Sequence, residues 1–250
     1  MNGEELLQEI RNSVKPRPKP AILLSGGLDS TILLHHLKEK TKEEIYTYTI
    51  DLEENDFEYG TLVAEHYETT HKNVEIKDIL PTFAKLQAHM DRPRWNLWPY
   101  WGYHVAWEDN RDTVYIGEGM DEHFGGYWYK PDQTYQEYWA SVLAWSIPTH
   151  TQIAYLFGLS LETPFLRLDI RHTRPFWDEK NHNKTLLRHI YKDILPDFVI
   201  ERKKNPGRID FCQIWEEEVS PHIPGPKPQN RVESYDIITK WTMKKWLETH

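Results

Sequence analysis

Two glycine-containing segments hold the residues that can do chemistry. The first is Ser25-Gly26-Gly27-Leu28-Asp29-Ser30, set between the short apolar run AILL (21–24) and the stretch TILLHHLKEK. Consecutive glycines reach backbone torsions that other residues resist, so several N–H groups can converge on an anion. A helix starting there adds about 0.3–1 kcal/mol toward a bound phosphate, and the Ser25 and Ser30 hydroxyls can donate further bonds. Asp29 is the odd member, because a carboxylate repels phosphate unless a cation such as Mg2+ lies between them. A tight turn with Asp29 or Ser30 capping the helix is the alternative. The second segment is Gly117-Glu118-Gly119-Met120-Asp121-Glu122-His123-Phe124-Gly125-Gly126-Tyr127. Its three carboxylates, Glu118, Asp121 and Glu122, repel one another when packed together and call for a cation. A solvated acidic loop is the alternative, and the flanking glycines and aromatics speak against it. Two familiar phosphate loops are absent. There is no GxxxxGK[ST], and the GxGxxG begun by Gly117 and Gly119 meets Glu122 at its third glycine.

Both segments need rigid elements behind them. AILL is a continuous apolar run suited to a doubly buried parallel strand, and Ile32, Leu33, Leu34 and Leu37 then form one helix face. IYTYTI (45–50) reads as a second strand, 57–68 as helix, 73–76 as a short strand, 78–90 as helix and TVYIG (113–117) as a further strand. That alternation predicts an α/β fold, a parallel twisted sheet with helices on both faces. The acidic segment then lies at the carboxyl edge of the sheet, where open α/β sheets bind ligands. Beyond about residue 130 no further strand is expected, and QEYWASVLAWS, THTQIAYLFGL and KTLLRHIYKDIL all read as helix. The division expected is an N-terminal helix and linker over 1–20, a main domain over 21–220, and a proline-rich connector with a last helix over 221–250.

Composition removes several classes. In 250 residues, 30 Lys and Arg face 39 Asp and Glu, a formal charge of −9, which argues against coating nucleic acid. A hydrophobic share of 39% with 11 Trp supports a core. The single cysteine, Cys212, excludes an intramolecular disulfide framework and reads as an inert thiol. No run nears eighteen apolar residues and the start has no signal-peptide pattern, so a cytoplasmic protein without membrane partners is expected. The aromatic stretch Trp95, Trp98, Tyr100, Trp101, Tyr103, Trp107 is read as core or partner surface rather than a base-stacking platform. The pairs His35-His36 and His66/His71 lack a metal-site spacing and are expected on helix surfaces.

SGGLDS resembles the pyrophosphate loop of the N-type ATP pyrophosphatases, and GEGMDEHFGGY resembles the signature of one branch of them, the asparagine synthetase C-terminal (synthetase) domain. IDLEEND (50–56), ETPFL (162–166) and KTLLRHIYKDILP…ERKKNPG (184–207) follow in the same order. The resemblance covers roughly residues 20–208. It implies a ligase that uses ATP and Mg2+, joins an activated carboxylate to ammonia or an amine, and releases AMP and pyrophosphate. Ser25, Gly26, Gly27 and Ser30 would hold the pyrophosphate, and Asp29 and Asp121 the Mg2+. Leu24 and Ile50 would pack near adenine, while Ile116 and Gly117 offer backbone to the nucleotide. Glu118 would be the general base, Lys204 would stabilise charge at the α-phosphate, and Glu122 would help place the acceptor.

Aspartate is the acid implied first, yet the family's R-x-PFLD is here Glu162-Thr163-Pro164-Phe165-Leu166-Arg167, which puts that acid in doubt. A glutaminase domain with an N-terminal cysteine is expected to be missing. The nitrogen would then come from free ammonia, a separate glutaminase subunit or an amine on the substrate. An amide, lactam or peptide-cyclising synthetase for another carboxylate, and a non-catalytic nucleotide-binding subunit, stay open, as does homo-oligomerisation.

Overall fold

The computed structural model describes residues 2–52, 55–127, 132–169, 173–204 and 209–250. Five parallel strands form one sheet in the order β3-β2-β1-β4-β5, with β1 Pro20–Leu23, β2 Tyr46–Ile50, β3 Thr70–Val74, β4 Thr113–Tyr115 and β5 Ser160–Glu162. The central strand β1 pairs Ile22 with Thr47 on one side and with Tyr115 on the other. The chain runs outward from β1 through β2 to β3, then returns to β4 beside β1 and proceeds outward the other way. The carboxyl ends of β1 and β4 are therefore the point where strand order reverses, the crevice in which such sheets take ligands. The two glycine segments follow these two strands.

Alternation along the strands separates two apolar layers. Ala21, Leu23, Tyr48, Ile50 and Val114 face one layer, with α4 (Ile79–Gln87) and α5 (Pro99–Glu108) packed over it. Ile22, Leu24 and Tyr115 face the other, covered by α1 (Gly3–Ser13), α2 (Leu28–Lys40) and α3 (Asp56–His66). Leu6 and Ile10 of α1 are fully buried there, each apolar side chain contributing about 1.5–3 kcal/mol. Helix α1 carries a capping box between Asn2 and Glu5 and ends before the Pro16-Pro18-Pro20 tract, as the sequence predicts.

Three expectations are corrected. The strands do not stop at 130: Ser160–Glu162 forms the edge strand β5. Only three residues long and bounded by turns, it lacks the apolar run by which strands are read. The short strand expected at 73–76 lies at Thr70–Val74, because pairing with β2 sets its register. Of the histidines expected on helix surfaces, His36 is buried, with its ring nitrogens on Glu39 and the Tyr191 hydroxyl, and His71 lies on strand β3. Helix α5 takes up most of the Trp-rich stretch; Trp101 and Tyr103 are core and Trp107 is exposed.

After β4 come α6 (Met120–Phe124), α7 (Tyr135–Ser141), a π-turn over Val142–Ser146 and α8 (Ile147–Leu156). Beyond β5 lie α9 (Thr185–Ile190), α10 (Asp197–Glu201) and the last helix α11 (Arg231–Thr249). Helix α11 docks on the chain itself: Ile238 is buried, the Trp95 and Tyr235 rings lie 4.9 Å apart, and Trp246 Nε1 donates to the Met90 carbonyl at 3.0 Å.

Candidate active site

The turn after β1 is built by its own hydroxyls. Ser30 Oγ accepts from the Ser25 N–H at 3.3 Å and lies 3.2 Å from Ser25 Oγ, while Ser25 Oγ accepts from the Gly27 N–H at 3.3 Å. Gly26 has φ +67, and a Cβ there would stand 2.5 Å from the Tyr59 carbonyl carbon. Torsion and close packing on α3 both require glycine. Gly27 caps α2 with no side-chain bond of its own, leaving the first N–H groups of a thirteen-residue helix to other partners.

The turn after β4 meets this one directly. A Cβ on Gly117 would lie 3.1 Å from Asp29 Cβ and 3.2 Å from the Ser30 nitrogen, so glycine permits the approach of the two segments. Asp121, at the start of α6, is buried. Between Asp29 and Asp121 sits the ammonium of Lys184. It donates to Asp29 Oδ1 and Oδ2 at 2.6 Å each and to Asp121 Oδ1 at 2.7 Å. Lys204 donates to Asp121 Oδ2 and stands 4.0 Å from Asp29 Oδ2 and 4.9 Å from the Tyr127 ring centre. Burial pushes the Asp121 carboxyl up, and the charges and hydrogen bonds of Lys184 and Lys204 outweigh it, holding the group at about 2.

Glu118 is pushed up, first by burial; the charge of Lys204 and the Ser146 hydroxyl, which donates to Oε1 at 2.9 Å, pull the other way. Glu122 lies deeper. Its Oε2 accepts from the Gly119 N–H at 3.1 Å and its Oε1 from the Tyr127 hydroxyl at 2.9 Å. Burial, then the charges of Glu118 and Asp121, push it up to about 8.

A cavity of about 490 Å³ opens over these groups. Leu24, Ser25, Asp29, Ser30, Ile50, Ile116, Gly117, Glu118, Asp121 and Lys204 all line it. Glu122, Gly26 and Gly27 do not; Gly27 lines a smaller adjoining cavity of about 70 Å³ ringed by Lys184, Arg188, Arg202, Lys203 and Lys204. Sequence reasoning assigned no role to Lys184, Arg188 or Arg202. The available signal is KTLLR, whose lysine and arginine stand four residues apart on one helix face. Arg202 ties the site together, donating to the Ser25 carbonyl and, at 2.8 Å, to Asp56 Oδ1.

The two unusual positions in Glu162-Thr163-Pro164-Phe165-Leu166-Arg167 are partners: Arg167 Nη2 donates to Glu162 Oε2, and Arg17 Nε donates to Glu162 Oε1 at 2.7 Å. Relative to the R-x-PFLD pattern the acid and base have changed places. Neither lines the cavity, and Glu162 ends the edge strand β5. Of IDLEEND, Glu53 and Glu54, and of ERKKNPG, Asn205, Pro206 and Gly207, lie outside the described residues.

Among the described residues no helix is long and apolar enough to cross a membrane. The asparagine synthase family model matches residues 4–181. No curated protein matches the chain. Solved structures similar to it include an NMN synthetase from Francisella tularensis, 14% identical, covering 100% of this chain and 97% of that one with a TM-score of 0.48. Another is the NH3-dependent NAD synthetase from Campylobacter jejuni subsp. jejuni NCTC 11168 in complex with the nitrate ion. It is 14% identical, covering 100% and 96%, with a TM-score of 0.43.

Proposed function

The chain belongs to the asparagine synthase family, and from that premise we propose that it is an AMP-forming amide synthetase using ATP and Mg2+. The observation that carries the reading is the meeting of Ser25–Ser30 and Gly117–Asp121 at one crevice, with two carboxylates turned toward a single buried cation. Asp29 and Asp121 offer the oxygen donors a divalent ion takes, at the point the Lys184 ammonium holds in this structure; Mg2+ there would take the place of that ammonium and neutralise charge on the leaving pyrophosphate.

The loop N–H groups, the Ser25 and Ser30 hydroxyls and the start of α2 hold the β- and γ-phosphates, with Arg188 and Arg202 adding positive charge. Leu24 and Ile50 flank the adenine, and the backbone of Ile116 and Gly117 borders the nucleotide. A carboxylate oxygen attacks the α-phosphorus, the bond to the bridging oxygen breaks, and pyrophosphate leaves with the electron pair. Lys204 offsets the negative charge at that phosphorus. The nitrogen of ammonia or an amine then attacks the acyl carbon, the C–O bond to AMP breaks, and Glu118 takes the surplus proton. A carboxyl raised by burial is a stronger base than an exposed one. Glu122, expected to place the acceptor, does not line the cavity; through the Gly119 N–H and the Tyr127 hydroxyl it holds the turn that carries Glu118.

Aspartate is the acid to try first, on family grounds. The enzyme is incubated with ATP, Mg2+, ammonia and aspartate while AMP, pyrophosphate and amide are followed. Glu118→Gln is expected to lose about 10²–10⁴-fold in amide formation and to keep ATP binding. ADP and phosphate as products in place of AMP and pyrophosphate would overturn the reading. A different carboxylate is the second reading, favoured by the cavity wall described next.

A further inference from the structure

Residues 94–98 and 133–150 supply most of the rest of the cavity lining, and their chemistry bears on which acid is activated. Arg94 is the charged side chain among the described lining residues of this wall, and it is committed. Its Nε and Nη2 donate to Asp91 Oδ1 at 3.0 and 2.7 Å, and its Nη1 donates to the Trp145 carbonyl and Thr149 Oγ1 at 3.0 Å each. His150 is neutral, pushed down to about 3 by burial, with Nδ1 2.9 Å from the Tyr103 hydroxyl. The rest of the wall combines broad rings, Trp98, Tyr138 and Trp145, with the small hydroxyl side chains of Ser141, Ser146 and Thr149. Two buried amide oxygens facing no protein donor, Asn96 Oδ1 and Gln133 Oε1, belong to lining residues. A ligand N–H or O–H would supply the partner that each of these buried acceptors lacks.

An amino dicarboxylate such as aspartate brings a second carboxylate and an ammonium into this chamber, and each needs a counter-charge when removed from water. Resting on the synthetase reading, we infer that the acid activated here is a monocarboxylate with an aromatic body, bearing an N–H or O–H donor remote from the carboxyl group. Trp145 and Tyr138 take the ring, the Asn96 and Gln133 carbonyl oxygens take the donor, and the carboxylate reaches the α-phosphorus beside Lys204.

The test is ATP–pyrophosphate exchange with radiolabelled pyrophosphate and Mg2+, using L-aspartate, acetate, 4-aminobenzoate and 3-(4-hydroxyphenyl)propionate as probes. At least one aryl acid is expected to give a kcat/KM ten or more times that of aspartate and acetate. Trp145→Ala, at a half-exposed position, is expected to raise the aryl acid's KM about tenfold. Ser141→Arg, at an exposed lining position, is expected to shift preference toward aspartate. Faster exchange with aspartate than with either aryl acid overturns the inference and leaves the synthetase reading standing. An unchanged aryl-acid KM in Trp145→Ala also overturns it. Exchange with none of the four acids overturns both.

Discussion

The two walls of the cavity are made in opposite ways. The strand-end wall is local: six residues, Ser25 to Ser30, fold on their own hydroxyls and on one left-handed glycine, and a second turn leans on them through Gly117. The helical wall is assembled from a distance, held where Arg94 clasps the Trp145 carbonyl and Thr149, 51 and 55 residues away. A local turn constrains chemistry tightly, because its geometry tolerates few residue types. A wall built by long-range packing can change its side chains while the turn stays intact. With the proposed roles, the first wall runs the reaction and the second chooses what is reacted.

The largest expected effect falls on the joint between the turns. Lys184 is buried against Asp29 and Asp121 and holds a left-handed backbone, φ 53, a conformation that persists where its surroundings over-determine it. Lys184→Met leaves the buried Asp121 and the partly exposed Asp29 one cation short, and a broken buried ion pair costs about 3–5 kcal/mol. A shift of the urea midpoint of that order, with exchange lost, is expected; unchanged stability would show that Lys184 is not what ties the two turns together.

Next comes a pair of alanines that separates torsion from packing within the local wall. Gly26→Ala forces a side chain against Tyr59 at positive φ, whereas Gly27 has φ −84 and a Cβ there would meet only Ser25 Oγ at 3.3 Å. Gly26→Ala is expected to cost about 1–3 kcal/mol and Gly27→Ala clearly less, read by thermal unfolding. Equal losses would mean that the turn is not torsion-limited.

The same contrast explains what could be read from the sequence. AILL, IYTYTI and the two glycine segments carry their structure within a few residues, so β1, β2 and the crevice between β1 and β4 were legible. Asp29 and Asp121 could be paired because each lies in its own motif. Lys184 was hidden: its role depends on α9 swinging back over 155 residues to Asp29, and a lysine at a helix start is ordinary. β5 was missed because its partner is β4 rather than its own pattern. The Glu162–Arg167 exchange looked like two unrelated departures until their side chains met.

A smaller effect comes from pH. The folded Glu122, at about 8 against an ordinary 4.5, favours its protonated form, so its contribution to stability falls as pH rises from about 4.5 to about 8 and is flat above. Asp121, at about 2 against 3.8, works oppositely: its stabilisation is present above about 3.8 and lost as pH falls toward 2. Burial holds His123 at about 4 and His150 at about 3, so their contributions are also lost on acidification below 6.5. Glu122→Gln mimics the protonated side chain and is expected to flatten the alkaline decline between pH 5 and 8 in urea midpoints, leaving the acid limb in place. A decline that survives the substitution would place its origin elsewhere.

The mildest change tests whether the two walls communicate. Ser146 belongs to the helical wall and donates to Glu118 on the strand-end wall at 2.9 Å. That bond favours the ionised carboxylate, acting against burial, which is the larger influence and pushes the group up. Ser146→Ala removes the donor and leaves the apolar surroundings, so Glu118 gains protons at a higher pH than before. The acid limb of kcat/KM for amide formation is expected to move to higher pH. Stability changes by no more than about 0.5–1.5 kcal/mol, the usual net worth of one hydrogen bond. A shifted limb with an unshifted urea midpoint would tie the base of one wall to a hydroxyl of the other. A limb that stays put while Glu118→Gln is inactive would mean that the proton limiting the reaction is not on Glu118, and that the walls meet without sharing the chemistry.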